Sequence, residues 1–339
     1  MNVSTPKTAM SMFRQIEEIS LGSAANSFSE LLCEHAARDP RICYVGVDTM
    51  DKEFQRRFPE RAFDVGIAEQ NQLGIATGLA RMGMIPVVQA WSPFTPLRNF
   101  EQLRTYFCRH NSNGKLITTT LGLANCSHGT THHDLESIAL YRVVPNLTVL
   151  AAMDDAQFRR AFPVVMAHSG PVVLMGPPEL YAPGHEGLEP LDIPLHGEFR
   201  IGKAEWLRRG RDAAIISVGS GLRYSWQAAQ MLSAEGIEVS VINMCSLKPL
   251  DEQAVLEAAR SHRAVLTVEE QSVIGGLGSA CAEVLAEHGV AVPFQRLGIP
   301  DQFCEDLGDW TYTRQQVGLT KANVIEAIRG LLRKGGRSS

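Results

Sequence analysis

The sequence has little net charge, no long apolar run and no paired cysteines. Its 32 basic and 37 acidic residues leave a formal charge of −5 and a pI near 6.1. That balance gives no bulk electrostatic reason for nucleic acid or an anionic membrane surface to bind. The one short basic run, Arg333-Lys334-Gly335-Gly336-Arg337, reads as a solvated tail. No stretch reaches 18 uninterrupted apolar residues, so no membrane-spanning helix is expected. Met1 to Glu18 carries Lys7, Arg14 and two glutamates without an apolar core, unlike a secretory signal. The seven cysteines form no C-x-x-C pair and are odd in number, which fits reduced, buried thiols and a cytoplasmic location.

What is present is an α/β pattern, with short apolar runs alternating with longer amphipathic segments. With 339 residues and 45% apolar content, the chain has room for two cores. Strands are expected at 42–47, 85–89, 115–121, 147–151 and 172–175. Helices are expected at 71–82, 100–110 and 154–167, the last opened by Asp154-Asp155. Residues 176–202 then hold five prolines and five glycines without periodicity and read as an extended linker. A second α/β unit follows. Its strands are expected at 213–218, 236–244 (alternating, through Ile237, Val239 and Val241) and 264–268, the last ending in Glu269-Glu270. Its helices fall near 221–234, 251–260, 278–288 and 320–332. The expected division is an extension at 1–20, one domain at 21–185, a linker at 186–204 and a second domain at 205–339.

Three constellations carry chemistry. Phe63-Asp64-Val65-Gly66-Ile67-Ala68-Glu69-Gln70-Asn71 places a carboxyl at a strand-to-helix junction. In an apolar mouth such a group suits proton exchange with a ring nitrogen. On spacing alone, a glutamate stabilised by the helix dipole is the plainer reading. Trp91-Ser92-Pro93-Phe94 follows the 85–89 strand and offers either a flat wall for a heteroaromatic ring or an ordinary core pair. His128-Gly129-Thr130-Thr131-His132-His133 invites a metal reading, but no fourth ligand or C-x-x-C context accompanies it. Gly276-x-Gly278 lacks the third glycine of a dinucleotide fingerprint.

The segment FDVGIAEQNQLGIATGLARM, residues 63–82, resembles the pyrimidine-binding signature of transketolases and 1-deoxyxylulose-5-phosphate synthases. The resemblance covers almost all of the chain from about Ser23 onward. It includes Arg142-Val143-Val144-Pro145-Asn146, Lys248-Pro249-Leu250-Asp251 and Gly275-Gly276-Leu277-Gly278. It implies two consecutive parallel-sheet α/β domains that use thiamine diphosphate. Glu69 would hydrogen-bond the aminopyrimidine and drive activation of the cofactor. Ile67, Trp91 and Phe94 would lie against the pyrimidine. Arg98, in Arg98-Asn99-Phe100-Glu101-Gln102, would line the site. The histidine run is similar to the family's D-G-x-T-H loop, so His132, with His128 and His133, would face the substrate. His128 stands where transketolases usually carry an aspartate. Asn26 replaces an arginine near the first helix.

Two absences matter against that family. No G-D-G occurs, so the magnesium and diphosphate half of the site is expected on a partner chain, within a heterotetramer. The phosphate-holding arginine after the G-P-V strand is also missing, since Gly170 to Pro177 contains none, and a family histidine is absent near Thr120. The substrate, a sugar or sugar phosphate, is therefore expected to have its tail held in a non-standard way. The expected activity is transfer of a two-carbon ketol unit from a ketose to an aldose. The alternatives are the β subunit of a 2-oxoacid dehydrogenase E1 component, half of a deoxyxylulose-phosphate-synthase-like enzyme, and a non-catalytic paralogue.

Overall fold

A computed structural model describes residues 23–48, 50–119, 121–177, 193–195 and 197–335, with the side chains of 23–26 and 335 left out. Residues 178–192 and 196 of the proline- and glycine-rich stretch, Thr120 and the side chain of Asn26 lie outside the described residues.

Strands β1 (Ile42–Gly46), β2 (Ala62–Asp64), β3 (Ile85–Trp91), β4 (Lys115–Thr119), β5 (Thr148–Ala151) and β6 (Val172–Met175) are short; β1, β4, β5 and β6 are buried throughout. Burial on both faces is what a parallel sheet between helices demands, which is why these strands read as apolar runs. The second unit contributes β7 (Glu205–Arg208), β8 (Ala213–Ser217), β9 (Val239–Asn243), β10 (Ser246–Lys248), β11 (Val265–Ser272) and β12 (Phe294–Ile299). The first sheet runs β10-β5-β6-β4-β3-β1-β2 and the second β12-β11-β8-β9-β7. Within each sheet only the edge strand β10 or β7 is antiparallel to its neighbour.

The structure departs from the sequence expectations in four places. The 236–244 segment does not alternate: its strand, β9, spans Val239–Asn243 and is buried at all five positions, as an interior strand of a sheet packed on both faces is. The strand expected to end in Glu269-Glu270 runs on to Ser272, so both glutamates lie within β11 and are buried. The 100–110 helix is broken, with a turn at Phe100–Gln102 followed by a π-helical segment, Leu103–Cys108. The strands β7, β10 and β12 fall outside the expected ones: β7 and β10 hold only four and three residues, and β12, Phe-Gln-Arg-Leu-Gly-Ile, mixes polarities without a clean alternation.

The two sheets are joined by more than the connecting chain. After β9 the backbone returns to the first sheet, where β10 pairs antiparallel with β5, matching Ser246 with Leu150. Lys248 Nζ then donates to the carbonyls of Arg142 and Val144. One buried cluster contains Val45, Leu116 and Val173 of the first sheet with Ile216, Ile242 and Val265 of the second, so the units share a core. Caps behave as the sequence implies: Asp154 accepts from Gln157 N, Asp251 from Ala254 N and Thr320 from Asn323 N.

Candidate functional site

Strands β2, β1, β3 and β4 are neighbours in the first sheet and parallel. Their carboxyl ends therefore bring four loops to one edge, the usual place for a ligand crevice in an open α/β sheet. The β2 loop leads to Glu69, Trp91 ends β3 and the loop after it carries Phe94 and Arg98, and the β4 loop carries His128 and His132.

Glu69 is the first residue of the helix Glu69–Arg81 and is 6% exposed. The turn before it needs Gly66 at φ 65°, a left-handed conformation natural to glycine. The helix is fixed to the sheet by buried Gln72, whose Nε2 donates to the carbonyls of Val45 (2.7 Å) and Gln89 (2.8 Å). Asn99 Nδ2 donates to the Glu69 carbonyl (3.3 Å) and to Thr95 Oγ1 (3.0 Å). The carboxylate accepts from Arg98 Nη1 at 2.6 Å. The Arg98 guanidinium lies 3.7 Å from the centroid of the Phe94 ring, a cation–π contact.

An aromatic cluster continues from Phe94. His132 meets it edge-on at 5.1 Å between ring centroids and meets Trp91 at 5.6 Å. His128 meets Trp91 at 5.8 Å and His132 at 5.2 Å. The His132 imidazole is pushed below its ordinary pKa by burial, then by His128 and Arg98, against a smaller upward pull from Asp48. It is thus held as the neutral base near pH 7, with Nδ1 2.9 Å from Thr131 Oγ1.

The structure brings Glu69, Trp91, Phe94, Arg98, His128 and His132 together. Ile67, two residues before Glu69, is 73% exposed. His133 differs from its neighbours: it is 2% exposed and turned into the protein rather than toward the aromatic cluster. Burial, then Arg314, pushes its pKa down to about 4. Neither ring nitrogen makes an aligned hydrogen bond, although the Asn125 and Cys304 carbonyls lie close by. Sequence reasoning missed Gln72, Asn99 and Asp48. Asp48, at φ 63° just past β1, was signalled only by its place after a strand.

Two family models match the chain: the transketolase pyrimidine-binding domain over residues 22–183 and the transketolase C-terminal domain over 202–324. Among relatives, the 6-deoxy-6-sulfo-D-fructose transketolase subunit SqwH of Clostridium sp. is 37% identical over 308 residues, covering 89% of this chain and 92% of that protein. The 1-deoxy-D-xylulose-5-phosphate synthase of Symbiobacterium thermophilum is 36% identical and covers 90% of this chain, but the match spans only 46% of that enzyme. A split-gene transketolase, solved as an inactive β4 tetramer, superposes with a TM-score of 0.77 at 35% identity, covering 91% of this chain and 97% of that one. Transketolase from Campylobacter jejuni shares the fold at a TM-score of 0.72 and 18% identity, over 49% of its length. These matches favour the transketolase reading over the dehydrogenase one. The chain belongs to the transketolase family and aligns with subunits of split transketolases over nearly their whole length.

Proposed function

We propose that this chain is one half of a two-chain, thiamine-diphosphate-dependent transketolase that moves a two-carbon ketol unit from a ketose donor to an aldose acceptor. The observation that carries the reading is the convergence of buried Glu69 with Trp91, Phe94, Arg98, His128 and His132 at the carboxyl ends of four adjacent strands. The residues fit the pyrimidine end of the cofactor: a buried carboxylate for a ring nitrogen, beside aromatic faces. Nothing in the sequence supplies the G-D-G that would hold magnesium on the diphosphate. When bound, thiamine diphosphate supplies a carbon nucleophile and an electron sink.

The roles of this chain's residues follow from their placement. Glu69 holds and exchanges a proton at its carboxyl oxygens, oriented by Arg98 and by Asn99 on its backbone. Trp91 and Phe94, with Ile67, form the apolar wall. His132, neutral near pH 7, accepts or returns a proton at a donor hydroxyl, and His128 flanks it. His133 supports the loop from inside rather than touching substrate. A companion chain anchors the diphosphate and Mg2+, and the working assembly is a cytoplasmic heterotetramer. The working division keeps a pyrimidine domain at 21–185, a linker at 186–204 and a C-terminal domain at 205–339. The inactive β4 state of the split-gene relative supports the need for a companion.

The ketose tail is not gripped by the family's phosphate arginine, since Gly170 to Pro177 holds none. The relative named for 6-deoxy-6-sulfo-D-fructose supports a tail other than phosphate. Co-expression with a G-D-G-bearing companion, followed by ketol-transfer assays on phosphorylated, sulfonated and unsubstituted ketoses, tests both statements. Transfer that depends on thiamine diphosphate and vanishes in Glu69→Gln is expected. A strong preference for ordinary pentose phosphates would contradict the tail assignment.

A further inference from the structure

The loop that carries His128 and His132 belongs to the first sheet by sequence, yet its two stems are bonded to the second. At the leading stem, Leu123 N donates to Glu270 Oε1 at 2.8 Å. Gly122, at φ 69°, lies so close that a Cβ there would come within 2.4 Å of the Glu270 carbonyl. At the trailing stem, Gln271 Nε2 donates to the Asp134 carbonyl, and Ser272 N donates to the Leu135 carbonyl at 2.9 Å. Gln271 Oε1 also accepts from Ile138 N at 3.3 Å. Three consecutive residues at the end of β11 thus hold both ends of one loop.

The clamp is itself braced. Glu270 is 2% exposed and forms a two-pronged ion pair with Arg314, 1% exposed, through Nε and Nη2. Ser220 Oγ adds a bond to Glu270 Oε2 at 2.6 Å. The Arg314 guanidinium stacks 3.2 Å from the centroid of the Trp310 ring. Trp310 packs against Ala124 under the loop and donates from Nε1 to Tyr224 OH at 3.1 Å. A carboxylate buried this deeply needs its cation and its donors, so the arrangement tolerates few alternatives. Between the stems the loop is wound by its own turns, with His128 N on the Asn125 carbonyl and His132 N on the Gly129 carbonyl. Fixing the stems therefore fixes the two imidazoles.

We infer that Glu270 and Gln271 of the C-terminal domain are positioning residues: they set the loop that presents His128 and His132, and so make that domain part of the working site. The inference rests on the reading that places those histidines against the substrate. Glu270→Gln breaks the buried ion pair and threatens folding, so the decisive variant is Gln271→Met, which keeps the side chain's length and apolar volume and removes only its polar ends. Ser225→Ala, which loses a buried hydroxyl in the same domain that bonds Ser217 Oγ at 3.1 Å and the Gly221 carbonyl at 2.9 Å but no residue of the loop, is the control.

Amide hydrogen exchange on the full chain is the first readout. In Gln271→Met, amides 123–133 should exchange at least about tenfold faster, the effect of losing the two buried hydrogen bonds of Gln271 from a local opening, while β8 and β9 are unchanged. Ser225→Ala should leave the loop unchanged. In the complex with a G-D-G-bearing companion, Gln271→Met should raise KM for the donor ketose or lower kcat by about tenfold and leave thiamine diphosphate affinity unaltered. A loop whose exchange is unchanged, or rises only in step with β8 and β9, overturns the clamp. Unaltered kcat and KM despite a loosened loop overturns its catalytic consequence. A wild-type complex with no ketol transfer would sink the functional reading and leave the exchange measurement to decide the clamp.

Discussion

Arg98→Met removes a guanidinium with two attachments, the Glu69 carboxylate and the face of Phe94. The Glu69 side chain is 7% exposed and that of Arg98 49%, so the pair sits between the buried and the solvated limits. A hydrogen bond to a charged group contributes about 1.5–3 kcal/mol when buried, whereas an exposed ion pair contributes about 0.2–1 kcal/mol. Discounting for the half of Arg98 in water gives about 1 kcal/mol for the pair, and a half-exposed cation–π contact adds about 0.5–1 kcal/mol. The full substitution should therefore cost about 2 kcal/mol. Urea unfolding of wild type, Arg98→Met, Glu69→Gln and the double variant isolates the pair. A coupling of about 1 kcal/mol is expected at low ionic strength, falling by about half in 1 M salt, where the screening length drops to about 3 Å. Additivity to within about 0.3 kcal/mol would refute the claim that Arg98 holds Glu69 in place.

The buried His133 gives a pH signature. Its folded pKa of about 4 lies below its ordinary value, so its share of stability is intact above about pH 6.5 and is lost as pH falls toward 4. Wild type should lose about 2 kcal/mol more than His133→Gln between pH 7 and pH 5, measured by urea melts. Asp134 and Glu269, pushed up to about 7 by burial, act in the opposite sense, but both proteins contain them and the difference cancels their effect. At Gly122 both conformation and space forbid a side chain, whereas Gly83, at φ 90°, has nothing within 4 Å of an added Cβ. Gly122→Ala should cost at least about 3 kcal/mol in thermal or urea melts, and Gly83→Ala only the left-handed strain of about 1 kcal/mol.

The sequence showed the helix that begins near Glu69, the strand before Trp91 and the histidine loop. Each combines a periodic apolar pattern with a motif whose chemistry is local in the chain. It also signalled two α/β units, through the proline- and glycine-rich break after Met175. It did not show how those units are laced together. The β10 strand carries only three residues and pairs with a partner almost a hundred positions away, and no local propensity encodes such a pairing. Glu270 read as a polar residue at the end of a strand, and Gln271 carried no signal at all; only the tertiary contacts with Leu123, Asp134 and Arg314 give the two their roles. His133 is the reverse case. Next to His132 it looked like a site residue, but the turn hydrogen bonds of both residues to the Gly129 carbonyl send the two rings in different directions.

The most direct test of the central claim is the exchange of the thiazolium C2 proton of thiamine diphosphate with D2O in the two-chain complex. If the buried carboxyl of Glu69 promotes activation through the aminopyrimidine, Glu69→Gln should slow that exchange at least about 100-fold, with the cofactor still bound. An exchange rate equal to that of the wild-type complex at full cofactor occupancy would contradict it.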